Sequence, residues 1–173
     1  MVGGDMYMGV KYKTTINKLP EVTATLKSLQ GKKVKVGAMK GEHAWLAGIH
    51  EYGCDIKVTP KMRKFLHSQG LHLKASTTTI HIPERSFLRT GHDNKAKEIM
   101  KKCEMALGQV IDGKMSEDTF LDMFGQQFAT AIKKQIRDIR SPANHPFTTD
   151  QKGSSNPLVD TGGLIESITW EVE

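Results

Sequence analysis

The stretch IHIPERSFLRTGHDN, residues 80–94, decides how the chain is divided. Ile80 and Ile82 alternate with His81, as in a strand with one apolar face, and Pro83 has no N–H to give to a ladder, so the strand ends there. Phe87 and Leu88 can enter a core directly after the turn. Arg85 and Arg89 are left to grip carboxylates, either of the corner itself or of a neighbouring molecule. Before the corner the sequence reads as short strands and short helices; after it, as two longer helices.

Working back from the corner, PKMRKFLHSQG predicts a helix opened by Pro60 and closed near Gly70, and CDIKVTP a short extended piece. GEHAWLAGIHEYG places Trp45, Ile49 and Tyr52 on one helical stripe, with Gly53 suited to the C-terminal turn. KKVKVGAMK alternates Lys with Val34 and Val36, a strand with one wet face. TTINKLPEV leads into a short helix with Val22, Leu26 and Leu29 on one side. Residues 1–9 read as a flexible Gly/Met-rich lead, and residues 10–139 as an α+β domain.

Working forward, residues 94–107 set Ala96, Ile99, Met100, Cys103 and Leu107 on one stripe. Residues 117–139 do so with Phe120, Phe124, Phe128, Ile132, Ile136 and Ile139, after Ser116 as N-cap and with Glu117 and Asp118 at the positive end of the helix dipole. Residues 140–157 hold three of the six prolines and no periodicity, and read as an extended loop or arm. Residues 158–173 read as a helical turn and a last strand, with Ile168, Trp170 and Val172 alternating, that complete the domain. The expected class is α+β, an antiparallel or mixed sheet packed against one long and several short helices, with extended loops.

Charge is spread unevenly over the 173 residues. Residues 1–90 carry fifteen Lys/Arg against six Asp/Glu, whereas residues 141–173 are net acidic. Such a chain can bind nucleic acid through its front, or dock head to tail on a second copy. With 6% aromatic residues and no long basic block, specific nucleic-acid recognition is not expected. Two cysteines without a CxxC fit synthesis in a reducing cytosol, and nothing resembles a membrane span or a signal peptide.

Four patterns suggest chemistry, and each has a plainer explanation. Asp160-Thr161-Gly162 matches an aspartic-protease triplet, but the eleven residues after it leave no room for a flap, and Asp160 or Thr161 serves as a helix cap. His43, His50 and Cys54 share a region without a metal-site spacing, and "HEYG" lacks the second histidine of a zinc motif. His81, Glu84 and Arg85 have acid–base groups but no nucleophile. Gly162-Gly163 is too short to cradle a nucleotide. No catalytic residue, metal or cofactor is expected.

Taken in order, GIHEYG, TPKMRKFLHSQGLHL, IHIPERSFLR and NPLVDTGGLIESITWEV resemble the head–tail joining and tail-completion proteins of long-tailed bacteriophages, in particular the virion morphogenesis proteins of Mu-like prophages. The resemblance covers about residues 32–90 and 154–173. It implies a structural role in the virion neck, in a homo-oligomeric ring, six-fold by preference, that closes the tail and joins it to the head connector. The implied partners are connector or stopper proteins and the tail terminator or tail tube, after synthesis in the host cytoplasm. It makes Ile82, Pro83, Arg85, Phe87 and Leu88 a strand-ending corner and Asn156-Pro157-Leu158 the start of the returning segment. With Arg89, Trp45, Tyr52 and Asp160, residues Arg85, Phe87 and Pro157 are the expected interface or corner positions. Ser86 stands where proline is common in that family, and the 140–157 loop is long for it. The alternative is a nucleic-acid-binding module on the basic N-terminal half.

Overall fold

The computed structural model describes residues 18–173. The expected lead at residues 1–9 lies outside the described residues. The fold is α+β: seven helices and four strands among the described residues, with the strands in two antiparallel pairs.

The elements in chain order are α1 (Leu19–Leu29), β1 (Val34–Ala38), α2 (Gly41–Tyr52), β2 (Cys54–Lys57), α3 (Pro60–Ser68), β3 (Thr79–Ile82), α4 (Phe87–Ile111), α5 (Glu117–Asp138), α6 (Pro146–Lys152), α7 (Gly163–Ser167) and β4 (Ile168–Val172). β1 pairs with β4 along the whole of both strands, Val34 opposite Val172 and Ala38 opposite Ile168. This ribbon packs on α5, which in turn packs along α4. β2 pairs with β3, Cys54 opposite Ile82, and carries α3 as the lobe between them.

The core forms where α2, α4, α5, α7 and the C-terminal segment meet. Phe87, Ile136 and Ile168 are fully buried there, with Ala47, Ile132, Leu158 and Leu164 around them. Burying one such large side chain contributes about 2–3 kcal/mol. A second cluster of Ile99, Cys103 and Phe128 lies further along the α4–α5 pair. Gly125 is required at the crossing with β4, because a Cβ there would collide with the Trp170 ring. That ring also donates its indole N–H to Asp122 (3.1 Å).

Local signals account for several boundaries. Ser116 Oγ accepts from Thr119 N–H (3.1 Å), and Thr59 Oγ1 from Met62 N–H (3.1 Å), with Pro60 in the first turn of α3. The antiparallel pairing expected of the sheet is present, as two separate pairs. Two expectations need correction. The helix expected at 94–107 begins at Phe87, since its N-terminus is capped from elsewhere in the chain rather than by its own sequence. The 140–157 stretch contains α6, opened by Pro146, with His145 Nδ1 accepting from Phe147 N–H (3.2 Å) and Gly153 closing it at φ 67°.

Candidate functional site

Glu51 is the centre of the site. It sits in the last turn of α2, on the face with Ala47, and the residue is 1% exposed. Its carboxylate accepts from Ser86 Oγ (2.9 Å), Leu88 N–H (2.8 Å), Arg89 N–H (3.1 Å) and Arg89 Nε (2.9 Å). Two orphan donors of the first turn of α4 are thereby satisfied, and the negative charge lies at the positive end of the helix dipole. Burial alone would push the carboxyl up. The Arg89 side chain, the two backbone N–H groups and the Ser86 hydroxyl outweigh it and hold the carboxyl below its usual value.

Arg89 completes this arrangement. It also donates to Glu51 O (2.9 Å) and Glu84 Oε1 (2.7 Å), and its guanidinium lies 5.1 Å from the centre of the Tyr52 ring. Gly53 follows at φ 69°, and a Cβ there would lie 2.8 Å from Ile82 O and 2.9 Å from Glu84 N. Only glycine lets the end of α2 come this close to the Pro83 corner.

Arg85 lies on the other side of the corner and is 4% exposed. Its backbone N–H donates to His50 O (2.7 Å). Its side chain donates to Pro142 O (2.7 Å), Ala143 O (3.1 Å) and Asn144 Oδ1 (3.2 Å), and burial lowers its pKa. Asn144 Nδ2 reaches Pro157 O (3.4 Å), as does Lys152 Nζ (3.2 Å). The start of the 140–157 segment is thus fastened to the corner by Arg85, and its end is tied back to the start through Asn144. Asn156 secures it further: its Oδ1 accepts from Leu158 N–H (2.9 Å), and its Nδ2 donates to Arg137 O (3.0 Å) at the end of α5.

The structure therefore divides the expected positions into two groups. Arg85, Phe87, Arg89 and Pro157 belong to one corner, with Phe87 and Pro157 buried. Arg89 grips carboxylates as expected. Arg85 does not; its partners are the chain's own uncharged oxygens. Trp45 and Tyr52 are 69% and 70% exposed, on the outer side of α2, because the inner side is taken by Ala47 and Glu51. Asp160 is exposed and caps nothing: Gly162 is the N-cap residue of α7, and the nearest side-chain bond is Thr161 Oγ1 accepting from Gly163 N–H (3.4 Å). The charge of Asp160 instead acts on Lys152.

Sequence reasoning does not single out Glu51, and it considers His50 only as a metal ligand. The signal for Glu51 is an acid on the same side of the helix as the buried Ala47. His43 Nδ1 and His50 Nδ1 are buried and have no hydrogen-bond partner among the described residues. Among the described residues no three His, Cys, Asp or Glu side chains gather as for a metal ion, and no helix is long and apolar enough to cross a membrane. The contrast between basic front and acidic tail is met partly within the chain, by Lys35–Glu173 (2.7 Å) and Lys40–Glu171 (3.9 Å).

No protein-family model, curated protein or solved structure matches this chain.

Proposed function

We propose that this chain is a structural protein of the virion neck of a tailed phage or prophage, a tail-completion protein whose ring joins the tail to the head connector. The observation that carries this reading is the meeting of three of the four stretches that resemble that family. GIHEYG supplies Glu51, IHIPERSFLR supplies Ser86, Leu88, Arg89 and Arg85, and NPLVDTGG supplies Pro157. Hydrogen bonds link these residues into one corner, the last through Asn144. Residues far apart in sequence therefore have a physical reason to occur together.

The corner acts as a rigid base, and the docking surface lies on its outer side. Trp45 and Tyr52 present two exposed aromatic rings on one helix, beside the half-exposed Arg89. Aromatic residues with an arginine are the usual anchors of protein interfaces. In this reading the exposed face of α2 meets a neighbouring copy in the ring, or the connector, and the chain performs no catalysis.

A Trp45→Glu/Tyr52→Glu double variant tests the reading, because neither side chain supports the core. The variant is expected to remain folded, while a lysate of the phage or prophage carrying it accumulates heads and tails that do not join. A virion reconstruction with the chain away from the head–tail axis overturns the proposal.

One observation favours a second reading. Residues 57–79 carry Lys57, Lys61, Arg63, Lys64 and Lys74 and no Asp or Glu. With the exposed Phe65, this lobe suits a nucleic-acid backbone. Retention of the purified chain on DNA that falls steeply with salt, and is lost in Lys61→Ala/Lys64→Ala, supports that alternative.

A further inference from the structure

A half-open cavity of about 470 Å³ lies between the end of α2, the β3–Pro83 corner and residues 143–148. Ile80, Ile82 and Pro83 form an apolar part of its lining, and Arg85 lines it together with three imidazoles, His50, His81 and His145, and the polar Asn144 and Thr148. Arg85 is buried, yet its three side-chain acceptors are all uncharged oxygens. None of the ion pairs among the described residues includes it. A buried cation without a counter-charge is unfavourable, and carbonyl dipoles offset only part of the cost.

The surroundings add to the imbalance. His50 Nδ1 is buried with no hydrogen-bond partner among the described residues. The charges of Arg85 and Lys152 both act on His50, and together with burial they keep it neutral. Asp55 is paired with His81 (2.6 Å), and Asp160 acts on Lys152 through its charge alone.

We propose that this cavity binds a carboxylate with an apolar stem, its head on Arg85 and His50 and its stem against Ile80, Ile82 and Pro83. The inference goes beyond the neck reading and does not depend on it. The same chemistry is offered by a free aliphatic carboxylate and by an acidic side chain of a second copy of this chain.

The test uses the full chain at pH 7, with sodium butyrate compared against sodium chloride at equal ionic strength and with butylammonium chloride as the control of opposite charge. Butyrate is expected to raise the thermal midpoint by a few degrees, as a ligand of the folded state does, while butylammonium does not. Butyrate should also move the backbone NMR signals of residues 80–85 and 143–148, and raise the pH at which the His50 ring titrates, since a bound anion favours imidazolium. Thr148→Trp and Ala143→Phe fill the rim from two sides, and each should abolish these responses. No effect of butyrate, signals that move elsewhere, or a full response in a folded blocking variant overturns the site. The NMR result in the unaltered chain decides the matter even where neither variant folds. Sedimentation separates the two sources: oligomers that butyrate dissociates identify a second copy's acid, and an unchanged sedimentation profile identifies a free carboxylate.

Discussion

Arg85 and Arg63 each donate to three oxygens of a loop further along the chain, and the two sites differ mainly in burial. Arg85 is enclosed by the corner and the 142–144 loop. Arg63, on α3, reaches Leu73 O (3.1 Å), Lys74 O (2.8 Å) and Thr77 O (2.6 Å), where it closes the β2–β3 lobe. No residue of α3 is buried, and Phe65 is left in solvent. The same bonding pattern thus serves a part of the molecule that cannot rearrange and a part that water can enter. Removing a group from the first leaves charges and N–H donors without partners. Removing one from the second lets water replace it. The corner should therefore determine global stability, and the lobe should determine only local opening.

The largest effect is expected at Glu51. Glu51→Ala strips four donors of their acceptor and leaves Arg89 without its buried partner, at a cost of about 3–5 kcal/mol in urea unfolding. Glu51→Gln should recover part of this, because it keeps an acceptor oxygen for the α4 N-terminus. A loss below about 1 kcal/mol for the alanine variant would remove the basis for treating the corner as an anchor. Gly53→Ala comes next, at about 2–3 kcal/mol, from an unfavourable φ combined with a backbone collision at Ile82 O. A wild-type unfolding midpoint for that variant would show that α2 and the Pro83 corner can move apart freely.

The same difference in burial explains what could be read from the sequence. α3 and α5 were legible because their signals are local: Thr59 with Pro60, Ser116, and an apolar stripe of period 3.6. β4 was legible from the alternation of Ile168, Trp170 and Val172. The start of α4 was not, because Thr90 and Gly91 are weak helix formers and its cap, Glu51, lies 35 residues before Ser86. α6 was hidden among the prolines of 140–157, where Arg85 and Asn156 supply the order that composition alone does not suggest. Among the candidate site residues, the members of the corner were named, but the acid that joins them was not. Charge patterning suggested the partners of Arg85 wrongly, because a sequence does not show that backbone carbonyls can take the place of carboxylates.

Acid should distinguish the two regions next. Burial first, then the charges of Arg85 and Lys152, bring the His50 pKa from 6.5 down to about 4. As pH falls below 6.5 the unfolded chain takes up a proton that the folded chain refuses until about pH 4. This stabilisation is complete above pH 6.5 and is lost progressively down to pH 4, by about 2 kcal/mol after allowance for solvent screening. Glu51 adds a second loss at lower pH, since its depressed carboxyl stabilises the fold above the unfolded carboxylate range and ceases to do so as pH falls through its folded value. Urea unfolding at pH 7.5, 5.5 and 4.5 measures this, and His50→Gln should flatten the upper part of the profile. A flat profile in the unaltered chain would mean that His50 is solvated.

The smallest effect is expected at Arg63, and it bears most directly on the comparison. Arg63→Ala removes three hydrogen bonds, as Arg85→Ala would, so a count of bonds alone predicts equal losses. Burial predicts otherwise. Arg63 is only partly buried, in a lobe whose strands pair only with each other, and water can take the place of the guanidinium at the exposed Lys74 oxygen first. The expected global cost is about 1 kcal/mol or less. The local effect should be plain: faster amide exchange and proteolytic cutting between residues 69 and 78, with no change in the exchange of α4 and α5. If Arg63→Ala instead lowers the unfolding midpoint as far as a corner variant does, the lobe and the body unfold as one unit. Burial would then not be what separates the two arginines.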